Sequence, residues 1–235
     1  MEIQVAVAKR DKFFPKGSGD TLEIIERPNG GISIVMADGK LDLIDSKLIS
    51  NKVVHRVINL ISDGMHDGAA VRSAAAMLYR DFLGKGTASL VIISCDFNTN
   101  TIVITALCNA PVVIYQNDHL TFMSSDNFLL GEKEHTDPTI TQIPILPGTS
   151  VFMFTEGIMN AGCSHGLFMD MPTSFSALFD DQEPSVHEIA EFLLVQAVGL
   201  DQGEPENDMC VAALQVISEA DDPVRRMTVR LPIVY

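Results

Sequence analysis

The chain has 235 residues, 46% of them hydrophobic, with a mean hydropathy of +0.20. That is enough length and apolar content for a single compact domain over residues 1–235, stabilised by its core without covalent staples. Acidic side chains outnumber basic ones 31 to 16, and a formal charge of −15 with a pI near 4.6 opposes phosphodiester backbones and anionic lipid surfaces, so neither a nucleic acid nor a membrane partner is expected.

Glu2 to Lys9 alternates, with Ile3, Val5 and Val7 on one face, and predicts a strand. Leu22 to Glu26 and Ile32 to Ala37 are short β-branched runs joined by Pro28-Asn29-Gly30-Gly31, the turn chemistry of a hairpin. The period then changes: Leu43, Ile44, Leu48, Ile49, Val53, Val54, Val57, Ile58 and Ile61 recur at helical spacing up to Asp63-Gly64. Asp67 is expected to cap a second helix running through Ala69, Ala74, Met77, Leu78 and Phe82 to Gly84. Six strands follow, over Ala88–Phe97, Thr101–Cys108, Val112–Gln116, Leu120–Met123, Ile140–Ile145 and Ser150–Thr155, with connections short enough to require mainly antiparallel pairing. Gly162 to Asp181, with Phe168, Met169 and Phe175, reads as a loop that packs on the sheet rather than a flap. Ser185 and Glu188 form a capping box for a helix stopped at Gly199. Gln202 to Asn207 reads as an exposed acidic loop, Met209 to Ile217 as an apolar strand, and Val224 to Val234 as a final strand. The sum is an α+β sandwich, sheets inside and helices outside.

Cys95, Cys108, Cys163 and Cys210 show no CxxC spacing, and three lie in apolar runs, so they are expected to be reduced and structural. No signal-like N-terminus or membrane-length apolar run is present, which predicts a soluble, cytoplasmic protein. The six histidines, His55, His66, His119, His135, His165 and His187, have no paired ligand spacing and are expected on the surface. Gly84-Lys85-Gly86-Thr87 lacks the spacing of a phosphate loop, and no Gly-x-Ser-x-Gly elbow occurs.

Chemistry concentrates at four acidic stations at the edges of strand-like runs: Gly19-Asp20, Ala37-Asp38-Gly39, Thr155-Glu156-Gly157 and Asn207-Asp208. Carboxylates gathered from strand ends build all-oxygen sites for hard divalent cations, which points to metal-assisted hydrolysis. Taken singly, each is also an ordinary turn dipeptide.

The order of Ser18-Gly19-Asp20, Val35-Met36-Ala37-Asp38-Gly39, Ala88-Ser89-Leu90-Val91 leading to Asp96 and Asn109-Ala110-Pro111, Leu146-Pro147-Gly148 leading to Phe154-Thr155-Glu156-Gly157-Ile158, and Asn207-Asp208-Met209 resembles the metal-dependent protein phosphatases of the PP2C (PPM) group, in the bacterial sporulation and stress-response (SpoIIE-like) branch. The resemblance implies a four-layer α-β-β-α sandwich of mainly antiparallel sheets. It further implies two Mn2+ or Mg2+ ions activating a water, no protein nucleophile, and a phosphoserine or phosphothreonine on a phosphorylated regulatory protein as substrate. Carried over by position, Asp20 would bind the second ion, Asp38 would bridge both and the Gly39 carbonyl would assist, with Glu156 and Asn207 standing where the family has aspartates for the first ion and Asp208 as a substitute for Asn207. Glu156 extends its carboxylate by one methylene, Asn207 supplies no charge, and Lys40-Leu41-Asp42 lacks the branch's second glycine. These departures lower the expected metal affinity, and they keep open a pseudophosphatase, a regulatory protein-binding module on the same fold. Oligomeric state is left open.

Overall fold

The structure, a computed structural model, describes residues 1–13, 18–28, 30–41, 46–125, 128–179, 184–218, 224–230 and 232. Among the described residues ten strands form two five-stranded antiparallel sheets. One orders β1 (Glu2–Arg10), β10 (Met209–Ile217), β9 (Ser150–Phe154), β6 (Val112–Gln116) and β7 (His119–Met123). The other orders β2 (Asp20–Glu26), β3 (Ile32–Lys40), β4 (Thr87–Asp96), β5 (Thr101–Leu107) and β8 (Thr139–Pro144). Helices α1 (Ser46–Ser62) and α2 (Asp67–Phe82) cover the β2–β8 sheet, while α4 (Met171–Phe179) and α5 (Val186–Leu200) cover the other, and a short α3 (Glu156–Met159) follows β9.

The four layers follow from strand alternation, because successive side chains leave a strand on opposite faces. Along β3, Ile34 and Met36 join the core between the sheets, while Val35 and Ala37 pack beneath α1 and α2. Along β10, Ala212 and Leu214 face the inter-sheet core, and Val211 and Ala213 face the α4–α5 layer. Phe152 and Phe175 are fully buried with ring centroids 5.0 Å apart, joining β9 to α4. Burying each such ring is worth about 1.5–3 kcal/mol.

The expected helices over 43–61, 67–82 and 185–199 appear as α1, α2 and α5, although residues 42–45 lie outside those described. The capping box is present: Glu188 N–H donates to Ser185 Oγ and Ser185 N–H to Glu188 Oε2. Three expectations are corrected. Asp67 is not the cap of α2; His66 holds that position, and Asp67, one residue inside the helix, accepts from Arg27 Nη1 at 2.6 Å. Arg27 Nη1 also reaches Ser33 Oγ and Ser94 Oγ, so a buried ion pair takes the carboxylate that capping would have used. Residues 224–230 form no strand, with no ladder partner among the described residues, and Arg225 merely pairs with Glu26 at 3.3 Å; residues 231 and 233–235 lie outside those described.

The Gly162–Asp181 segment, read as a loop, contains α4. Asp170 starts it, accepting from Thr173 N–H at 3.2 Å and from the Thr173 hydroxyl at 2.7 Å, with Pro172 in the first turn. Met169 and Phe175 pack inward as expected, whereas Phe168 is exposed. The six histidines are all exposed. Among the described residues no helix is long and apolar enough to cross a membrane.

Candidate functional site

Alternation that fills the inter-sheet core also aims polar groups at one of its ends. Asp38 shares its face of β3 with Ile34 and Met36, and Asp20 is its direct cross-strand partner on β2. Ser89 of β4 pairs with Asp38 from the other side, which makes a row Asp20–Asp38–Ser89 at the rim of the sheet. The opposite sheet supplies Thr155 and Glu156 just past β9 and Asp208 just before β10.

Asp38-Gly39 is not a turn. Both residues lie inside β3, and a Cβ on Gly39 would stand 2.2 Å from the Ser46 carbonyl oxygen at the start of α1, so glycine is required for the helix to approach. Gly157 serves the other sheet in the same way, since its Cβ would lie 2.0 Å from the Asp208 carbonyl oxygen. The Gly39 N–H donates to the Gly19 carbonyl at 3.4 Å, closing the strand around Asp20.

Asp208 ties the N-terminal segment to this rim. Its Oδ2 accepts from Gly19 N–H at 2.7 Å and its Oδ1 from Lys12 N–H at 3.0 Å. Asn207 is exposed and lies beside Gly157, outside this set of bonds. Glu156 is held from three sides: Lys40 Nζ donates to Oε2 at 2.6 Å, Asn109 Nδ2 to Oε1 at 2.8 Å and Ser89 Oγ to Oε1 at 3.4 Å. Lys9 and Lys47 both donate to the Asp20 carbonyl oxygen. A small cavity lies between the sheets here, lined by Asp38, Ser89, Cys108, Ala110, Thr155 and Glu156 among others.

The electrostatics follow from carboxylates crowded where water is scarce. Burial, then the charges of Asp38 and Asp208, push Asp20 up to about 8 against the pull of Lys9 and Thr155. Burial pushes Asp38 up to about 6, with Lys40 opposing and Glu156 and Asp208 adding to the rise. Asp20 Oδ2 is buried with no hydrogen-bond partner. Such an oxygen, beside a second carboxylate that resists ionising, is matched by a hard cation with oxygen ligands. The Asp20–Asp38 end therefore fits a divalent ion. Among the described residues, though, no three His, Cys, Asp or Glu side chains form a ready-made ligand group, and Glu156 is already paired with a lysine.

Asp20, Asp38, Gly39, Glu156 and Asp208 thus meet at one rim, Asn207 lies exposed beside Gly157, and Asp42 lies outside the described residues. Sequence reading did not identify Lys40, Asn109, Ser89, Lys9 or Lys47 as part of the site. Ser89 had a usable signal, since it has the strand parity of Val91 and Ile93, which face the inter-sheet core. Cys95, Cys108 and Cys210 are buried and free, and burial pushes their thiols up to about 12, 11 and 12, so they are inert.

A family model described as Stage II sporulation protein E (SpoIIE) matches residues 28–217. No curated protein sequence matches the chain. The PP2C phosphatase domain of SpoIIE from Bacillus subtilis, solved with a fragment of its regulatory domain, superposes with a TM-score of 0.75 at 18% identity, covering 93% of this chain and 64% of that one. The chain thus spans less than two thirds of that structure's length. The catalytic domain of the serine/threonine phosphatase PstP, in complex with 2 manganese ions, gives 0.71 at 16% identity, covering 92% of this chain and 99% of that one. Stp1 from Staphylococcus aureus gives 0.76 at 8% identity, covering 93% and 96%. At these identities the structures establish the fold alone. Since the family model spans most of the chain and its two-sheet architecture is that of the PP2C phosphatases, the chain belongs to the SpoIIE family.

Proposed function

We propose that the chain is a metal-dependent protein serine/threonine phosphatase that removes phosphate from a phosphorylated regulatory protein, with Mn2+ or Mg2+ as the cation. The observation that carries this reading is the Asp20–Asp38 pair: a buried and a half-buried carboxylate face each other across one ladder, and the buried one has an oxygen with no hydrogen-bond partner among the described residues. When bound, divalent ions would neutralise phosphoryl charge and supply the attacking water.

The chain's own part is placement. Asp20 and Asp38 hold the cation, and Asp208 fixes the Gly19 and Lys12 backbone so that Asp20 cannot turn away. The second ion that the family resemblance implies would draw on Glu156 and on Asn207 or Asp208. Lys9, Lys12 and Lys47 gather around Asp20 and Asp208, placing positive charge where an otherwise acidic chain could receive a dianionic phosphoryl group.

The regulatory binding module is supported by a different observation, the Lys40–Glu156 ion pair, which takes a carboxylate that a fully metallated site would use. Hydrolysis of p-nitrophenyl phosphate and of a phosphoserine peptide, with Mn2+, with Mg2+ and with EDTA, separates the two. Cation-dependent turnover that disappears in Asp38→Asn is the expected result. Absence of turnover with either ion would discard the phosphatase reading in favour of the binding module.

A further inference from the structure

We propose that the Lys40 ammonium is a built-in cation at the Glu156 end of the site, so that the chain takes up one divalent ion, at Asp20 and Asp38, instead of two. The inference rests on the metal-site reading above and concerns how many ions that site admits.

Lys40 is the last residue of β3 and, two positions after Asp38, leaves the strand on the same face, toward the other sheet. Its Nζ reaches Glu156 Oε2 at 2.6 Å, bridging the two sheets, while the Glu156 side chain is only 17% exposed. Asn109 and Ser89 occupy Oε1, so both oxygens of Glu156 already have donors supplied by the protein. The neighbouring station adds no charge, because the exposed Asn207 is neutral. A divalent ion at Glu156 would have to expel a lysine of like sign for a single compensated carboxylate. The two lysines on the other side behave differently: Lys9 and Lys47 bond to the Asp20 carbonyl oxygen, so the Asp20 Oδ2 atom keeps no donor. The rim is therefore divided, with one end neutralised by the chain and the other in need of an external cation.

The test is a count of bound Mn2+ on the full chain, by isothermal titration calorimetry and by electron paramagnetic resonance of unbound Mn2+. The wild-type chain is expected to bind one equivalent, Lys40→Met two, and Lys40→Arg, which keeps the charge, one. Glu156→Gln is expected to retain the single ion, which covers the case in which Lys40→Met fails to fold. Two equivalents in the wild type, one in a folded Lys40→Met, or loss of the ion in Glu156→Gln would each overturn the inference. One equivalent in both wild type and Lys40→Met leaves the metal-site reading intact, whereas no binding by any variant removes that reading and this inference with it.

Discussion

Asp20 and Asp38 are cross-strand partners at the end of a ladder whose next inward pairs on the same face are Leu22 with Met36 and Ile24 with Ile34. Two carboxylates thus occupy places that strand geometry would otherwise give to core side chains, and like charges directly opposite each other are destabilising. Asp38→Asn removes one of them. It is expected to raise the stability of the metal-free protein at pH 8 by about 1 kcal/mol, the usual trade of function against stability, and to lower cation-dependent hydrolysis by about 100-fold or more. Urea unfolding in EDTA and initial rates in Mn2+ check the two halves separately.

The same pair sets a pH dependence. Asp20 is pushed to about 8 and Asp38 to about 6, both above the ordinary value of 3.8 that they regain on unfolding. Between these values the folded chain binds more protons than the unfolded one, so the pair's contribution to stability is complete below pH 3.8 and is lost as the pH rises through 6 and then 8. In EDTA the pair is expected to cost on the order of a few kcal/mol between pH 5 and pH 8.5. Saturating Mn2+, which binds the ionised pair, is expected to stabilise the fold more at pH 8.5 than at pH 5. Denaturant midpoints at the two pH values, with and without Mn2+, measure both trends. A midpoint in EDTA that is no lower at pH 8.5 in the wild type than in Asp38→Asn would contradict the account.

Gly39→Ala places a methyl group 2.2 Å from the Ser46 carbonyl oxygen and 2.9 Å from the Ser50 nitrogen. Displacing the start of α1 is expected to cost about 2 kcal/mol or more. Gly199→Ala, in α5 with open space around it, is expected to stabilise by roughly 0.5–1 kcal/mol. Thermal unfolding of both variants beside the wild type checks the opposite signs.

Adjacent residues 207 and 208 should respond very differently. Asp208→Ala leaves the Gly19 and Lys12 N–H groups without their acceptor and is expected to destabilise by roughly 2 kcal/mol. Asn207→Ala, at an exposed position, is expected to stay within about 0.5 kcal/mol. Equal losses in the two variants, read by denaturant unfolding, would mean that the Asp208 bonds do not anchor the N-terminal segment.

Strand and helix positions were legible because periodicity there is imposed by burial: Ile34, Met36 and the face they share could be read from spacing alone. The convergence of Asp20, Asp38 and Asp208 could be anticipated only as a pattern, since the register that joins them depends on pairing between distant segments. Lys40 was invisible for a related reason. A lysine at a strand end ordinarily points into water, and only the facing sheet gives it Glu156 as a partner. Asp67 misled because a capping residue and an ion-pair residue look alike until Arg27, 40 positions away, is placed beside it. The residues after 224 misled in the opposite direction, with β-branched and apolar side chains present but no neighbouring strand among the described residues to pair with.

Carboxylates of the rim come from separate sheets, Asp20 and Asp38 from one, Glu156 and Asp208 beside the ends of two strands of the other. Anything that bridges them acts as a clasp on a two-leaved book. Closing it resists sliding of one leaf over the other, and the slowing of amide exchange should extend from the clasp down β3 and β10 into parts of each leaf far from the rim.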